Sequence, residues 1–176
     1  MDALELLLHP VRLRIVHAMS GARVRTTADL CAALPDVSRA TLYRHVSLLV
    51  DGKVLEVVDE RRVHGALERH YRLLQDRTRI DTDAARTMSP DDHRRGFAAA
   101  MAALLAEFEA YLARDGADPV ADQVGYRQGV LWLSSEEVTE LVAEWLALLR
   151  GRAGNGPAPG RRPHLLSAIL FPTEEP

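Results

Sequence analysis

Pro35-Asp36-Val37-Ser38-Arg39-Ala40-Thr41-Leu42-Tyr43-Arg44-His45-Val46-Ser47-Leu48-Leu49-Val50-Asp51-Gly52 is the stretch on which the reading of this 176-residue chain turns. Pro35-Asp36-Val37 reads as a tight turn, and Ser38 as an N-cap whose hydroxyl satisfies a free backbone N–H of the following turn. Leu42, Val46 and Leu49 recur at spacings of four and three, which sets one inward face of a helix. Asp51-Gly52 stops that helix, with Gly52 expected in the left-handed conformation that glycine tolerates. Ser38, Arg39, Ala40, Thr41, Tyr43, Arg44 and His45 are then left off the buried stripe.

Upstream, Thr26 or Thr27 caps a helix carrying Leu30 and Leu34, which ends before Pro35. Pro10 opens an earlier helix with Val11, Ile15 and Met19 on one face and Arg12, Arg14 and His17 on the others, after a short apolar helix from Ala3 to Leu8. Downstream the period changes from helical to alternating. Val54 to Asp59 is β-branched, Leu67, Arg69, Tyr71 and Leu73 alternate with Glu68, His70 and Arg72, and the polar tip Glu60-Arg61-Arg62-Val63-His64-Gly65 lies between. The order is helix, helix, turn, helix, hairpin. In a helix-turn-helix the second helix is held by its apolar side while its N-terminal and outer residues enter the DNA major groove. Arginine forks onto a guanine edge, serine and threonine reach phosphate or base, and Arg61 and Arg62 on a hairpin tip suit phosphate.

Three segments, Leu8-His9-Pro10-Val11-Arg12-Leu13-Arg14-Ile15, Val37-Ser38-Arg39-Ala40-Thr41-Leu42-Tyr43-Arg44-His45-Val46 and Asp51-Gly52-Lys53-Val54-Leu55, resemble the ArsR-type winged helix regulators over residues 1 to about 75. The resemblance implies a bacterial, repressor-like homodimer on double-stranded DNA, and matches Ser38, Arg39, Thr41, Tyr43, Arg44 and His45 to the family's recognition-helix positions. Many relatives sense metals through paired cysteines or Asp/His sets. This chain has the single Cys31 and no obvious His-rich set, so metal sensing is not carried over and no metal or cofactor is expected.

The character of the sequence changes near residue 80. Ser89-Pro90-Asp91-Asp92 opens a long helix, with cap, first-turn proline and acids at the positive end of the helix dipole. Along it Phe97, Met101, Leu104, Phe108 and Tyr111 form an apolar seam set among alanines, which is read as a dimer interface. Tyr126 to Leu133 and His164 to Phe171 read as strands flanking a helix that Ser134 and Glu137 cap and that bears Val138, Leu141, Val142, Trp145 and Leu149. Trp132, Trp145, Tyr126 and Phe171 are either the core of that unit or the lining of a small-molecule effector pocket. The expected fold is mainly α with a β-hairpin wing: a winged helix-turn-helix DNA-binding domain in 1–76, then a long dimerisation helix and a C-terminal strand-helix-strand unit in 77–176, a dimerisation and effector domain.

With 47% apolar and 27% charged residues the chain reads as an ordinary globular protein. It has no run long enough to span a membrane and no basic secretory start, so a cytoplasmic location without membrane contact is expected. No GxSxG, HExxH or phosphate-loop pattern is present, and no enzyme activity is expected. Residues 1–80 hold 13 Lys and Arg against 10 Asp and Glu, whereas 81–176 hold 9 against 15. The basic charge therefore sits with the expected DNA-binding half. The rival reading is a winged helix that docks a protein, but apolar anchors rather than arginines would then occupy the outer face.

Overall fold

In the computed structural model the residues described are 6–21, 24–63, 66–74, 76, 78, 82–153 and 155–174. They form α1 (Pro10–Met19), β1 (Val24–Thr26), α2 (Thr27–Ala33), α3 (Arg39–Asp51), β2 (Leu55–Val63), β3 (Ala66–Leu73), α4 (Thr82–Thr87), α5 (Pro90–Leu112) and α6 (Ser135–Ala153). This is a winged helix-turn-helix. His64 and Gly65 of the expected tip, and all but the last three residues of the expected Ala3–Leu8 helix, lie outside the described residues.

The helix starts follow from their caps. Pro10 stands at the first position of α1, and His9 Nδ1 accepts a hydrogen bond from the Val11 N–H at 3.2 Å. Thr26 ends β1 and caps α2: its hydroxyl accepts from the Asp29 N–H at 3.1 Å, while the Asp29 carboxylate accepts from the Thr26 N–H at 2.8 Å. That reciprocal pair satisfies two otherwise unpaired donors, and the bonds from Thr26 hold the Asp29 carboxyl below its usual range.

The end of α3 differs from expectation by one residue. Gly52 has φ −83°, and the left-handed residue is Lys53 at φ 57°. The Val54 N–H reaches Leu49 C=O at 2.8 Å and the Lys53 N–H reaches Val50 C=O at 2.9 Å, the two bonds of a Schellman ending with Lys53 past the cap. Glycine is needed at 52 for room instead: a Cβ there would lie 1.9 Å from Leu6 Cδ1.

The sheet has the order β1-β3-β2, antiparallel throughout, with a bulge between Val57 and Asp59. β1, paired Val24 to Arg72 and Thr26 to His70, was not expected; three residues are too few to display an alternation. The wing strands also run further than expected, so Arg61 and Arg62 lie within β2, paired with Glu68 and Leu67 of β3. One core joins helices and wing, built on Ile15, Met19, Leu30, Leu42, Leu49 and Leu55.

α5 opens as its sequence indicates, with Ser89 and Asp92 in a capping box and Pro90 in the first turn. It packs on α1 through Ala99 and Ala103, its two buried residues, and Gly96 lies against Leu8, whose Cδ2 is 3.0 Å from where a Cβ would stand. The expected strand-helix-strand unit is corrected. Ser134 and Glu137 do cap α6, but Tyr126–Leu133 and His164–Phe171 join no ladder. Their apolar, β-prone sequences pair with no strand edge among the described residues, and a ladder needs one. None of the helices built from described residues is long and apolar enough to cross a membrane.

Candidate nucleic-acid interface

The outer face of α3 is assembled from its first turn onward. Ser38 accepts from the Thr41 N–H at 3.3 Å and donates to Thr41 Oγ1 at 2.9 Å, so both hydroxyls sit at the exposed N-terminus of the helix. Arg39, Ala40, Tyr43, Arg44 and Ser47 follow on the solvent side, Tyr43 with 58% of its surface exposed. Leu42, Val46 and Leu49 are buried as their spacing requires.

His45 is not on that face, and its expected place among the DNA contacts is corrected. It is 3% exposed, and its ring lies 4.4 Å from that of His9, tilted by 44°. The physical reason is its position three residues after Leu42 and four before Leu49, at the edge of the inward stripe. Burial, then the charges of His9, Arg12 and Arg44, push its pKa down to about 4. Its Nδ1 has no hydrogen-bond partner. The same burial lowers His9, with Arg12 and Arg44 adding to the effect.

Arg14 corrects a second expectation, that the arginines of α1 lie on its outer faces. It is 3% exposed. Its two terminal nitrogens donate to Asp36 at 2.5 and 2.8 Å, and its Nε donates to Glu107 at 3.2 Å. Asp36 is in the turn between α2 and α3, and Glu107 is on α5, so one guanidinium ties α1, that turn and the long helix together. Bonding to Arg14 also holds the Asp36 carboxyl below its usual range. Arg12 is buried as well.

On the wing, Arg61 and Arg62 are exposed but are not brought together, since successive strand residues point to opposite faces. Arg61 donates from Nε to Asp59 at 2.6 Å, and Arg69 to Glu60 at 2.8 Å. Three ion pairs thus tie up most of the wing's charge, Arg72 with Glu56 being the third, and neither Arg62 nor Glu68 takes part in one among the described residues.

The α5 seam lies about 140° round the helix from the Ala99 and Ala103 face. Phe97 is 50% exposed, while Met101, Leu104, Phe108 and Tyr111 are half-buried. The chain's own C-terminal segment touches this seam at two points. Phe171 meets Phe97 edge-on with centroids 6.5 Å apart, and Tyr126 meets Phe108 at 5.9 Å.

An exposed helix bearing arginine and tyrosine, held against a second helix and followed by a twisted hairpin, is a groove-reading arrangement. Residues 7–58 match the helix-turn-helix domain family. The match begins before α1 and ends in β2, and it includes every α3 residue described above. The match supports a DNA-binding domain, with transcription regulation as its setting. No curated protein matches the chain.

Proposed function

We propose that the chain is an ArsR-like repressor of the bacterial cytoplasm that binds a pseudo-palindromic operator in duplex DNA as a homodimer and has no catalytic activity. The observation that carries this reading is the exposure of Arg39, Tyr43 and Arg44 on one face of α3, beside a wing that bears Arg61 and Arg62. Arg39 and Arg44 read base edges or grip phosphate, Ser38 and Thr41 supply hydroxyls at the helix start, and the wing arginines add affinity without sequence reading. One recognition helix covers only a few base pairs, so two copies in fixed register are needed for selectivity against a genome. The α5 seam of Phe97, Met101, Leu104, Phe108 and Tyr111 supplies part of that contact, and the exposure of Phe97 and Leu105 supports it.

The test is to sequence genomic fragments retained by the purified protein, then to titrate the recovered duplex and a scrambled one by fluorescence anisotropy at several salt concentrations. The recovered site should bind at least about 10³-fold more tightly than the scrambled one, with log affinity falling linearly in log salt. Equal binding of both duplexes, or none at low salt, would leave the α3 face as a protein-docking surface.

A further inference from the structure

α3 packs on α1, α2 and β2, and α1 in turn packs on α5, so the place of the reading helix relative to the α5 seam is passed on through α1 and whatever braces it. The contact between α1 and α5 is built from small side chains. Ala99 and Ala103 are the buried residues of α5, and Gly96 lies against Leu8. Alanine and glycine let two helices approach closely but offer few ridges to interlock, so they fix the distance between the helices better than the rotation or slide of one on the other. A directional bond can supply what they lack.

Such a bond stands one turn further along. Ala99, Ala103, Glu107 and Tyr111 follow at spacings of four, a row that drifts by about 40° per step from the face against α1 to the seam. Glu107 is the member of the row between the two surfaces, and it accepts from Arg14 Nε at 3.2 Å. The other two nitrogens of this buried guanidinium donate to Asp36 at 2.5 and 2.8 Å, in the turn that leads into α3. A planar guanidinium held by two carboxylates from different elements tolerates little rotation of either one. Desolvation offsets much of the attraction in such a cluster, so its effect falls on geometry more than on stability.

We infer that Glu107 is a positioning residue for DNA reading: through Arg14 and Asp36 it sets the register of α3 against the α5 seam, and so decides which half-site spacing the dimer accepts. The inference rests on the homodimeric reading above and names the residue on which its spacing selectivity depends.

The full-length protein, Glu107→Ala, Asp36→Ala and the double variant are titrated by fluorescence anisotropy against three duplexes. These are the recovered operator, the same operator with one base pair added between its half-sites, and a single half-site. An added base pair moves a half-site by roughly 3.4 Å and turns it by about 35°. Wild type should bind the lengthened operator about tenfold or more weakly than the recovered one. Alanine suits the interior of α5 and leaves the Arg14 bonds to Asp36 in place, so Glu107→Ala should remain a dimer by light scattering and keep wild-type half-site affinity. Its penalty on the lengthened operator should shrink to about threefold or less. Support for the fold alone would not change that ratio at constant half-site affinity. Asp36→Ala should flatten the spacing preference in the same way, and the double variant no further, because both residues act through one guanidinium.

A Glu107→Ala protein with the wild-type spacing penalty overturns the inference. So does one that turns monomeric or loses half-site affinity, since Glu107 would then hold the dimer or the fold rather than the register. An Asp36→Ala protein that keeps the full penalty, or a double variant in which two effects multiply, overturns the path through Arg14 and the inference with it. A wild type that is monomeric or indifferent to the added base pair sinks the homodimeric reading as well, whereas failure of the inference by itself shows in the variants alone.

Discussion

Arg44 and His45 are neighbours in sequence with different surroundings, because a step of about 100° takes the chain from the exposed side of α3 to the edge of its buried stripe. They give two different predictions. Arg44→Ala removes an exposed guanidinium with no role in the core, so operator affinity should fall by about 1–3 kcal/mol at unchanged melting temperature. Anisotropy titration beside a thermal melt checks this, and wild-type affinity in the variant would remove Arg44 from the interface. His45 acts on stability instead. Its pKa is lowered from 6.5 to about 4 in the folded chain. Between those values the unfolded state binds the proton and the folded state does not, so stability is complete above about pH 6.5 and is lost as pH falls towards 4. The groups facing His45 are His9 and Arg12 from the N-terminal side and Arg44 on its own helix, and any charge gained at His45 meets theirs. Urea unfolding at pH 7.5 and 4.5 should show a loss of about 1–3 kcal/mol for the wild type, and a smaller one for His45→Leu. His9 and His17, whose pKa values are also lowered by burial, keep the variant from becoming pH-independent. An identical slope in both proteins would show that His45 does not titrate in this window.

Among the elements, the turn between α2 and α3 sets the angle at which the outer face is presented, and it is held from outside by Arg14. Removing that guanidinium leaves Asp36 and Glu107 without their shared cation and opens a gap where α1 meets α5. Arg14→Ala should therefore cost about 2–4 kcal/mol, and Arg14→Lys most of that, since a single ammonium cannot bond both Asp36 oxygens and Glu107 in the same geometry. Chemical denaturation checks both, and a loss below about 0.5 kcal/mol, typical of an exposed pair, would mean the clamp is not formed in solution. This tie shows where reading the sequence stops. Leu42, Val46 and Leu49, the Ser38 cap and the Ser89-Pro90-Asp91-Asp92 start are local patterns, each decided within a turn or two of helix, and they were legible. Arg14 meets partners 22 and 93 positions away, and nothing in the spacing of α1 marks it as different from an arginine in solvent. His45 was hidden for another reason: its spacing from Leu42 and Leu49 is helical and inward, but a polar side chain next to arginines invites an outward reading. The two C-terminal strands rest on β-prone residues alone, whereas a strand also needs an edge to pair with, and these segments pair with none among the described residues.

For the whole molecule, charge and apolar surface are separated along the chain. Residues 1–80 carry the basic excess and α3, while the acidic second half carries α5 and α6, so the basic half is the one drawn towards a polyanion, and in the proposed dimer the second half is what holds two copies in register. Register is what a half-site spacing measures. If two α3 helices are fixed relative to each other, their half-sites must be centred about one duplex turn apart, roughly 34–36 Å. Inserting about 5 base pairs between them turns one half-site to the far side of the duplex. That change should reduce affinity to the level of a single half-site, whereas two copies acting independently would bind both duplexes alike. A charge in the α5 seam should have the same effect from the protein side. Met101 is half-buried there, and an aspartate at this position would place an unpaired carboxylate in an apolar contact. Met101→Asp is therefore expected to weaken the dimer and to bind the native and the spaced operator equally poorly, although no residue of α3 or the wing has changed. Gel shifts with both duplexes, run beside light scattering on both proteins, read the two effects together. A folded Met101→Asp protein that stays dimeric and still distinguishes the two spacings would show that the seam is covered from within the chain, by Phe171 and Tyr126, and that the register is held entirely elsewhere.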